Sequence, residues 1–146
     1  MSIPKLKDLL NERDFHLTKP PRRVGGVAIV SEGQILLVKR SETAGKYPNF
    51  WSVPMGGVEE GETFREGAAR ELKEETMLDF NPKELVYLGT IKDGKYNRLC
   101  KLYKAEMSGK PKPTLDHEHS EWGYYDKDSI PRPMEDRMRQ VLELNI

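Results

Sequence analysis

The sequence predicts an α+β fold, an α/β/α sandwich, in which helices cover a central β-sheet. Apolar, β-rich runs at 24–30 and 34–40 flank a glycine turn and therefore predict a hairpin. Residues 63–76 contain good helix formers and a single glycine, so they predict an internal helix that Thr63 can cap. Residues 134–145 carry apolar side chains at helical spacing and predict a closing helix.

Turn residues divide the rest of the chain into short segments. In chain order these are a mostly irregular segment at 41–61, strands at 84–91 and 96–107, a polar loop at 108–121 and a short strand at 122–125. An amphipathic pattern at 4–13 predicts a short helix inside an N-terminal extension over residues 1–20. We expect this extension to serve either homodimer formation or the covering of a sheet edge. We expect a single domain over residues 1–146.

The composition excludes several classes of function. Lysine and arginine together number 24, as do aspartate and glutamate, so the chain lacks the basic surplus typical of proteins that coat nucleic acid. It has neither an apolar run of about 18 residues nor a signal-peptide pattern, so we expect a soluble, cytoplasmic protein without a membrane partner. Cys100 is the single cysteine, which excludes an intramolecular disulfide and fits a small core residue.

The segment from Gly56 to Leu78 places several glutamates on a loop and on the helix that follows it. On that helix Glu71, Glu74 and Glu75 share one edge, within about 100° of one another. Like charges at this spacing destabilise an isolated helix, whereas carboxylate oxygens are the ligands that Mg²⁺ and Mn²⁺ prefer. The helix pattern alone is more typical of a solvated surface, where neighbouring lysine and arginine neutralise the charge.

The spacing of the fixed residues in this segment is far more specific. A glycine is followed after five residues by a glutamate, then after seven more by arginine, glutamate and leucine, and past one free position by two glutamates. This segment resembles the Nudix box, G-x(5)-E-x(7)-R-E-U-x-E-E-x-G-U, where U is a bulky aliphatic residue. The matching positions are Gly56, Glu62, Arg70, Glu71, Leu72, Glu74, Glu75 and Leu78. The resemblance to Nudix (MutT-like) hydrolases covers most of residues 24–145.

One position departs from the family pattern, which has glycine where this chain has Met77. A glycine at that position usually ends the helix, because it tolerates positive φ. Methionine tolerates positive φ poorly, so we expect the helix to end elsewhere, near Asp79 or before Asn81-Pro82. Met77 is not one of the positions at which the family has a metal ligand.

The resemblance implies a Nudix fold, in which a mixed central sheet carries the box loop and helix on one side and the C-terminal helix on the other. It also implies hydrolysis of a diphosphate linkage in a nucleoside diphosphate–X substrate by attack of water on phosphorus, with Mg²⁺ or Mn²⁺ as cofactor. The metal ligands that it implies are Glu71, Glu74 and Glu75, completed by the backbone carbonyl of Met55 or Gly56. Glu62 and Arg70 are expected to form a structural ion pair.

Three residues outside the box are expected on the substrate side. Arg40 ends a strand close to where the family often places a cation that binds phosphate. Tyr96 falls where dinucleoside-polyphosphate hydrolases often have a tyrosine, which is a weak indication because strands favour tyrosine anyway. Trp51 is either a core residue beneath the loop or a surface on which a base stacks.

The general base is left open between Glu71 and a glutamate of the late loop, with Glu118 as the first candidate and Glu121 as the second. His117 and His119 flank Glu118 and are expected to be exposed loop residues. Two alternatives to the enzyme remain. One is a catalytically inactive Nudix-fold module that senses a nucleotide, and the other is a structural helix surface without metal.

Overall fold

A computed structural model describes residues 19–146, so the helix predicted at 4–13 lies outside the described residues. The elements, in chain order, are β1 (Arg22–Ser31), β2 (Gln34–Arg40), β3 (Trp51–Ser52), β4 (Met55–Gly57), α1 (Phe64–Thr76), a 3₁₀ turn (Pro82–Glu84), β5 (Val86–Asp93), β6 (Arg98–Glu106), β7 (His119–Tyr125) and α2 (Asp136–Leu142). No helix among these described residues is both long and apolar enough to cross a membrane.

The strands form one seven-stranded sheet with the order β3-β2-β1-β6-β5, in which β4 also pairs with β1 and β7 with β2. β1 runs antiparallel to β2, as the predicted hairpin requires, and parallel to β6. The parallel pairing extends from Arg22 opposite Arg98 to Val30 opposite Glu106. The sheet is therefore mixed, and the α+β class expected from the sequence is confirmed.

The sheet is buried on both faces, because the two helices lie on opposite sides of it. Successive side chains of β1 point to opposite faces and join two separate apolar clusters. The α1 side holds Val27, Ile29, Ala68 and Leu72, and the α2 side holds Val24, Ala28, Met138 and Val141. Each fully buried aliphatic side chain contributes about 1.5–3 kcal/mol, so burial on two faces makes a rigid support for the loops.

α1 begins where the sequence predicts, at a capped first turn. The Thr63 hydroxyl accepts a hydrogen bond from the Glu66 amide at 3.0 Å, and the Glu66 carboxylate accepts one from the Thr63 amide at 2.9 Å. This capping box pairs two amides that the helix itself cannot satisfy. At Gly67 the helix lies against the box loop, since a Cβ there would come within 2.8 Å of the Val58 side chain.

The end of α1 differs from the sequence prediction. The helix stops at Thr76, and Met77 adopts the left-handed conformation with φ 63° and ψ 13°. The Met77 amide donates to the Lys73 carbonyl at 2.8 Å, so methionine makes the cap that glycine usually makes. The later end predicted near Asp79 was wrong. The Thr76 carbonyl, which a longer helix would need, already accepts the Thr114 amide at 2.8 Å.

Two segments predicted as loop contain strands. Within 41–61, β3 pairs with β2 and β4 pairs with β1, and within 108–121 β7 already begins at His119. These segments are rich in glycine, proline and charged residues, which predict a loop. The short strands form because a partner strand lies beside them, and local propensity does not reveal that partner. α2 covers Asp136–Leu142, which is shorter than the predicted 134–145.

Candidate active site

The loop after β4 is fixed to α1 by the guanidinium of Arg70. Its Nε and Nη2 atoms donate to the two carboxylate oxygens of Glu62 at 2.7 and 3.0 Å. Nη2 also donates to the Gly57 carbonyl at 2.8 Å. The hydrogen bonds from Arg70 hold the pKa of Glu62 below its usual value. A two-point pair fixes orientation as well as distance, so the Glu62–Arg70 contact anchors the loop on the helix.

Glu75 is a buried carboxylate in the last turn of α1. It is 2% exposed, and its Oε1 atom has no hydrogen-bond partner among the described residues. Burial, followed by the charge of Glu71, raises the pKa of Glu75 well above its usual value. Burial also raises the pKa of Glu71, whose side chain is 17% exposed. Two carboxyl groups that share a dry site do not both ionise readily unless a cation lies close to them.

Gly56 lies directly against the Glu71 carboxylate. A Cβ at Gly56 would overlap the Glu71 Oε1 atom, so only glycine allows β4 and this side chain to approach so closely. The backbone of β4 therefore runs beside the carboxylate pair. Backbone carbonyls commonly complete the oxygen ligands of hard divalent cations.

The residues present fit a hard divalent cation, but they do not form a complete ligand cage. The unpartnered oxygen of Glu75, the adjacent Glu71 and the neighbouring β4 backbone are all oxygen donors. Arg70 donates to both Glu71 and Glu74, at 2.9 and 3.1 Å, but the Glu74 side chain is 56% exposed and lies outside the buried pair. Within residues 19–146, no three acidic, histidine or cysteine side chains surround a common point closely enough to hold a metal as they stand. The structure thus brings together two of the three predicted carboxylate ligands.

Two charged groups from outside the box act on Glu75. The charge of Asp116 raises the pKa of Glu75 and the charge of Arg40 lowers it, and the loop that carries Asp116 is attached to the end of α1 by the hydrogen bond from the Thr114 amide to the Thr76 carbonyl at 2.8 Å. Asp116 Oδ1 lies 2.8 Å from Nδ1 of His119, which is 7% exposed. The prediction that His119 is exposed was wrong, because His119 opens β7 opposite Arg40. Sequence analysis missed Asp116, since a loop aspartate gives no signal until β7 positions it.

The late-loop glutamates are placed differently from Asp116. Glu118 is exposed, and its backbone joins two loops by donating to Asp116 Oδ1 at 3.2 Å and accepting from the Ser41 amide at 2.8 Å. The Glu121 carboxylate pairs with Lys39 at 3.4 Å. The assignment of Glu118 as the general base stays a prediction, and Asp116 joins the candidates.

The three residues expected on the substrate side occupy different environments. Trp51 is 5% exposed and packs in the α2-side core, as the core alternative predicts, so it is not a surface on which a base stacks. Arg40 donates from Nε to the Lys46 carbonyl at 2.6 Å, which fixes this side chain beside the loop after β2. Tyr96 lies half-buried at the β5–β6 turn, edge-on to Tyr47 with 5.4 Å between the ring centres.

These features define a class of site, in which a loop and a helix bury paired carboxylates against a glycine-rich strand on a three-layer α+β scaffold. Metal-dependent enzymes of phosphate chemistry use carboxylates in this way. The chain belongs to the Nudix family, because the family model of the NUDIX domain matches residues 19–144.

Known proteins resemble the chain over different lengths. The RNA pyrophosphohydrolase of Pelagibacter ubique is 31% identical over 126 residues, which cover 73% of this chain and 77% of that protein. Nudix hydrolase 5 of Arabidopsis thaliana is 39% identical over 56 residues, and the match covers 38% of this chain and 18% of that protein. A crystal structure of a MutT Nudix hydrolase from Burkholderia pseudomallei gives a TM-score of 0.74 at 27% identity, covering 86% of this chain and 98% of that one. These matches confirm the family and fold expected from the sequence.

Proposed function

We propose that the protein hydrolyses a diphosphate linkage in a nucleoside diphosphate–X substrate, with Mg²⁺ or Mn²⁺ as its cofactor. The observation that carries this proposal is the buried Glu71–Glu75 pair, in which one oxygen of Glu75 has no partner among the described residues. An ionised carboxylate without a partner in a dry site is strongly unfavourable, and a divalent cation removes that penalty. The activity named for the Pelagibacter relative supports the same type of reaction.

Glu71 and Glu75 would hold the metal together with the backbone of β4. Glu74 would join them once its side chain leaves Arg70, to which it is bound at 3.1 Å. When bound, the metal neutralises charge on the diphosphate and lowers the pKa of the attacking water.

Residues around the carboxylate pair orient the substrate and the water. Arg40 lies opposite His119, the partner of Asp116, and its charge acts on Glu75, so its guanidinium would bind a phosphate of the substrate. Arg70 and Glu62 hold the box loop, so the ligands keep their positions while charge develops in the transition state. A carboxylate, either Glu71 or one from the late loop, accepts the proton of the attacking water.

The direct test is a screen of ADP-ribose, nucleoside triphosphates, dinucleoside polyphosphates and 5′-triphosphorylated RNA, each with Mg²⁺, Mn²⁺ or chelator. Products are identified by mass spectrometry, and the same reactions in ¹⁸O-labelled water show which phosphorus is attacked. We expect metal-dependent cleavage of a diphosphate linkage in at least one substrate. Nucleotide binding without cleavage would favour the alternative of a sensing module instead.

Matched variants connect any activity to the carboxylate pair. Glu75→Gln should lower kcat at least about 100-fold, because a charged metal ligand becomes a neutral amide. Glu60→Gln is the control, because Glu60 is exposed in the box loop and matches no fixed position of the motif. An active Glu75→Gln variant with the kcat of the parent protein would contradict the proposed site.

A further inference from the structure

We infer that Tyr47 is a positioning residue for substrate binding. Its hydroxyl binds the buried Asp93, and this hydrogen bond holds the loop after β2, residues 41–50, in the conformation in which the Lys46 carbonyl fixes the Arg40 guanidinium. The inference deepens the proposed function and rests on it, because Arg40 is the cation proposed to bind a phosphate of the substrate. Tyr47 acts only through Arg40.

The loop after β2 holds both the backbone and the side chain of Arg40. The Arg40 amide donates to the Phe50 carbonyl at 2.9 Å, and the Arg40 carbonyl accepts from the Asn49 amide at 3.0 Å. These two bonds close the base of the loop and fix the backbone of Arg40. The side chain is fixed by its Nε atom, which donates to the Lys46 carbonyl at 2.6 Å. The direction of the guanidinium therefore depends on where the loop places Lys46.

Tyr47 follows Lys46 directly and carries the contacts that fix this part of the loop. Its backbone adopts a φ of 52°, in the left-handed region that is unfavourable for tyrosine. Because the local preference opposes this conformation, contacts of the side chain must hold it. The ring packs edge-on against Tyr96 and Phe50, with 5.4 and 6.0 Å between the ring centres. The hydroxyl donates to Asp93 Oδ1 at 2.9 Å.

Asp93 is a firm partner for this hydroxyl, because a buried network surrounds it. Its Oδ1 atom also accepts from the Tyr96 amide at 3.3 Å, and its Oδ2 atom lies 4.0 Å from Nε of Arg137. Arg137 donates twice to Glu135, and all three charged side chains are buried. Among the described residues, no group donates a hydrogen bond to Asp93 Oδ2. A buried carboxylate with few donors depends strongly on each one, so Asp93 and the Tyr47 hydroxyl hold each other in place.

The Tyr47 hydroxyl keeps its proton and so remains a donor. Burial, followed by the hydrogen bond to Asp93, raises the pKa of Tyr47 above its usual value. The guanidinium carbon of Arg137 lies 5.1 Å from the centre of the Tyr47 ring, which holds the ring from a further side. Tyr47 thus has a fixed ring and a fixed hydroxyl.

This network and the carboxylate pair lie on different sides of the sheet. Arg137 belongs to α2, whereas Glu75 belongs to α1. The connection between them runs through the loop after β2, from the Tyr47 side chain to the neighbouring Lys46 carbonyl and from there to Arg40, whose charge acts on Glu75. Loss of the Tyr47 hydroxyl should therefore affect the reaction through the phosphate contact of Arg40 and leave the metal ligands in place.

The test is a double-mutant cycle, measured by steady-state kinetics at saturating metal with the best substrate of the screen. Tyr47→Phe removes the hydroxyl and keeps the ring. It should raise KM about two- to ten-fold and change kcat less than about two-fold, because a lost contact that binds substrate and transition state equally appears in KM. Arg40→Gln should raise KM at least as much, and adding Tyr47→Phe to it should give no further increase.

Tyr87→Phe is the matched control. It also removes one tyrosine hydroxyl, which is hydrogen-bonded to Thr90 on the exposed side of β5, and it should keep the KM of the parent. A KM increase by Tyr47→Phe that is just as large in the Arg40→Gln background would overturn the inference, because the hydroxyl would then act independently of Arg40.

A second measurement needs neither substrate nor metal, so it separates this inference from the proposed function. In ¹⁵N-labelled protein in chelator, the Arg40 Nε–H should exchange with water more slowly than that of the exposed Arg139, because it is hydrogen-bonded. Tyr47→Phe should accelerate this exchange several-fold, and Tyr87→Phe should not. Equal exchange in the parent and Tyr47→Phe overturns the inference even where hydrolysis is found. Faster exchange in a protein that cleaves no substrate upholds the link from Tyr47 to Arg40, and the proposed function then fails alone.

Discussion

At the scale of single residues, the carboxylates near Glu75 differ in how firmly they are held. Asp116 contacts the buried His119 at 2.8 Å and accepts the Glu118 amide at 3.2 Å, so its carboxylate has a fixed position. Glu118 extends into solvent from the same loop. A general base must be held within reach of the water that it deprotonates. By this criterion Asp116 is better placed than Glu118.

Asp116→Asn should therefore lower kcat about 100-fold or more, which is a usual size for the loss of a general base. Glu118→Gln should have a much smaller effect on kcat, because its side chain is exposed. Steady-state kinetics with the best substrate of the screen measures both variants. A larger loss of kcat in Glu118→Gln than in Asp116→Asn would return the role to Glu118, and full kcat in both would leave it to Glu71 or Glu121.

Met77 shows a different kind of constraint, which acts on the backbone. Its φ of 63° places a side chain in the left-handed region, where an L-residue other than glycine is disfavoured by about 1–2 kcal/mol. The side chain is 61% exposed, so it gains little packing in return. The hydrogen bonds at the helix end, to Lys73 and from Thr114, hold this conformation.

Met77→Gly should stabilise the protein by about 1 kcal/mol, because relief of the strain exceeds the extra freedom that glycine gives the unfolded chain. The measurement is urea unfolding of the purified protein. Lys73→Gly is the matched control on an exposed helical position, and it should destabilise by about 1 kcal/mol. A Met77→Gly variant that is less stable than the parent would show that the methionine side chain contributes more than its exposure suggests.

At the scale of elements, the box loop and α1 act as one unit because Arg70 joins them. A single guanidinium binds both oxygens of Glu62, the Gly57 carbonyl and the Glu71 carboxylate, the last at 2.9 Å. Gly67 permits the close contact between helix and loop. The position of the metal ligands therefore depends on a planar donor group that lysine cannot reproduce.

Arg70→Lys should keep the charge but lower kcat/KM roughly 10- to 100-fold, because the loop loses its two-point attachment and the ligands lose their alignment. Arg139→Lys on the exposed face of α2 is the control and should match the parent. Kinetics at saturating metal separates poor alignment from weak metal binding. Parent-like kcat/KM in Arg70→Lys would show that charge alone is sufficient at this position.

At the scale of the whole molecule, the sequence predicts what depends on local pattern, and tertiary contacts decide the rest. The hairpin, the Thr63 cap and the class of fold follow from turns, capping residues and periodicity. The left-handed Met77 depends on a hydrogen bond from a loop about forty residues away, which no local pattern encodes. The buried His119 depends on β7 pairing with β2, and the choice between core and surface for Trp51 likewise depends on the folded sheet.

The motif predicts one part of the candidate site, and the folded structure determines the other part. The motif spacing predicts the acidic edge of α1, and the structure places Glu71 and Glu75 together there. The motif does not predict that Glu74 binds Arg70, or that Asp116 lies near Glu75, since both depend on side-chain packing.

The most direct test of the central claim, that the buried carboxylate pair binds a divalent cation, is thermal unfolding of the parent protein and Glu75→Gln across a Mn²⁺ or Mg²⁺ series. The parent should gain about 2.7 kcal/mol when the metal concentration reaches 100 times its Kd, with a matching rise in Tm. Glu75→Gln should unfold at the same or a higher temperature than the parent in chelator, and metal should not raise its Tm. No metal-induced rise in the parent, or an equal rise in Glu75→Gln, would contradict this account.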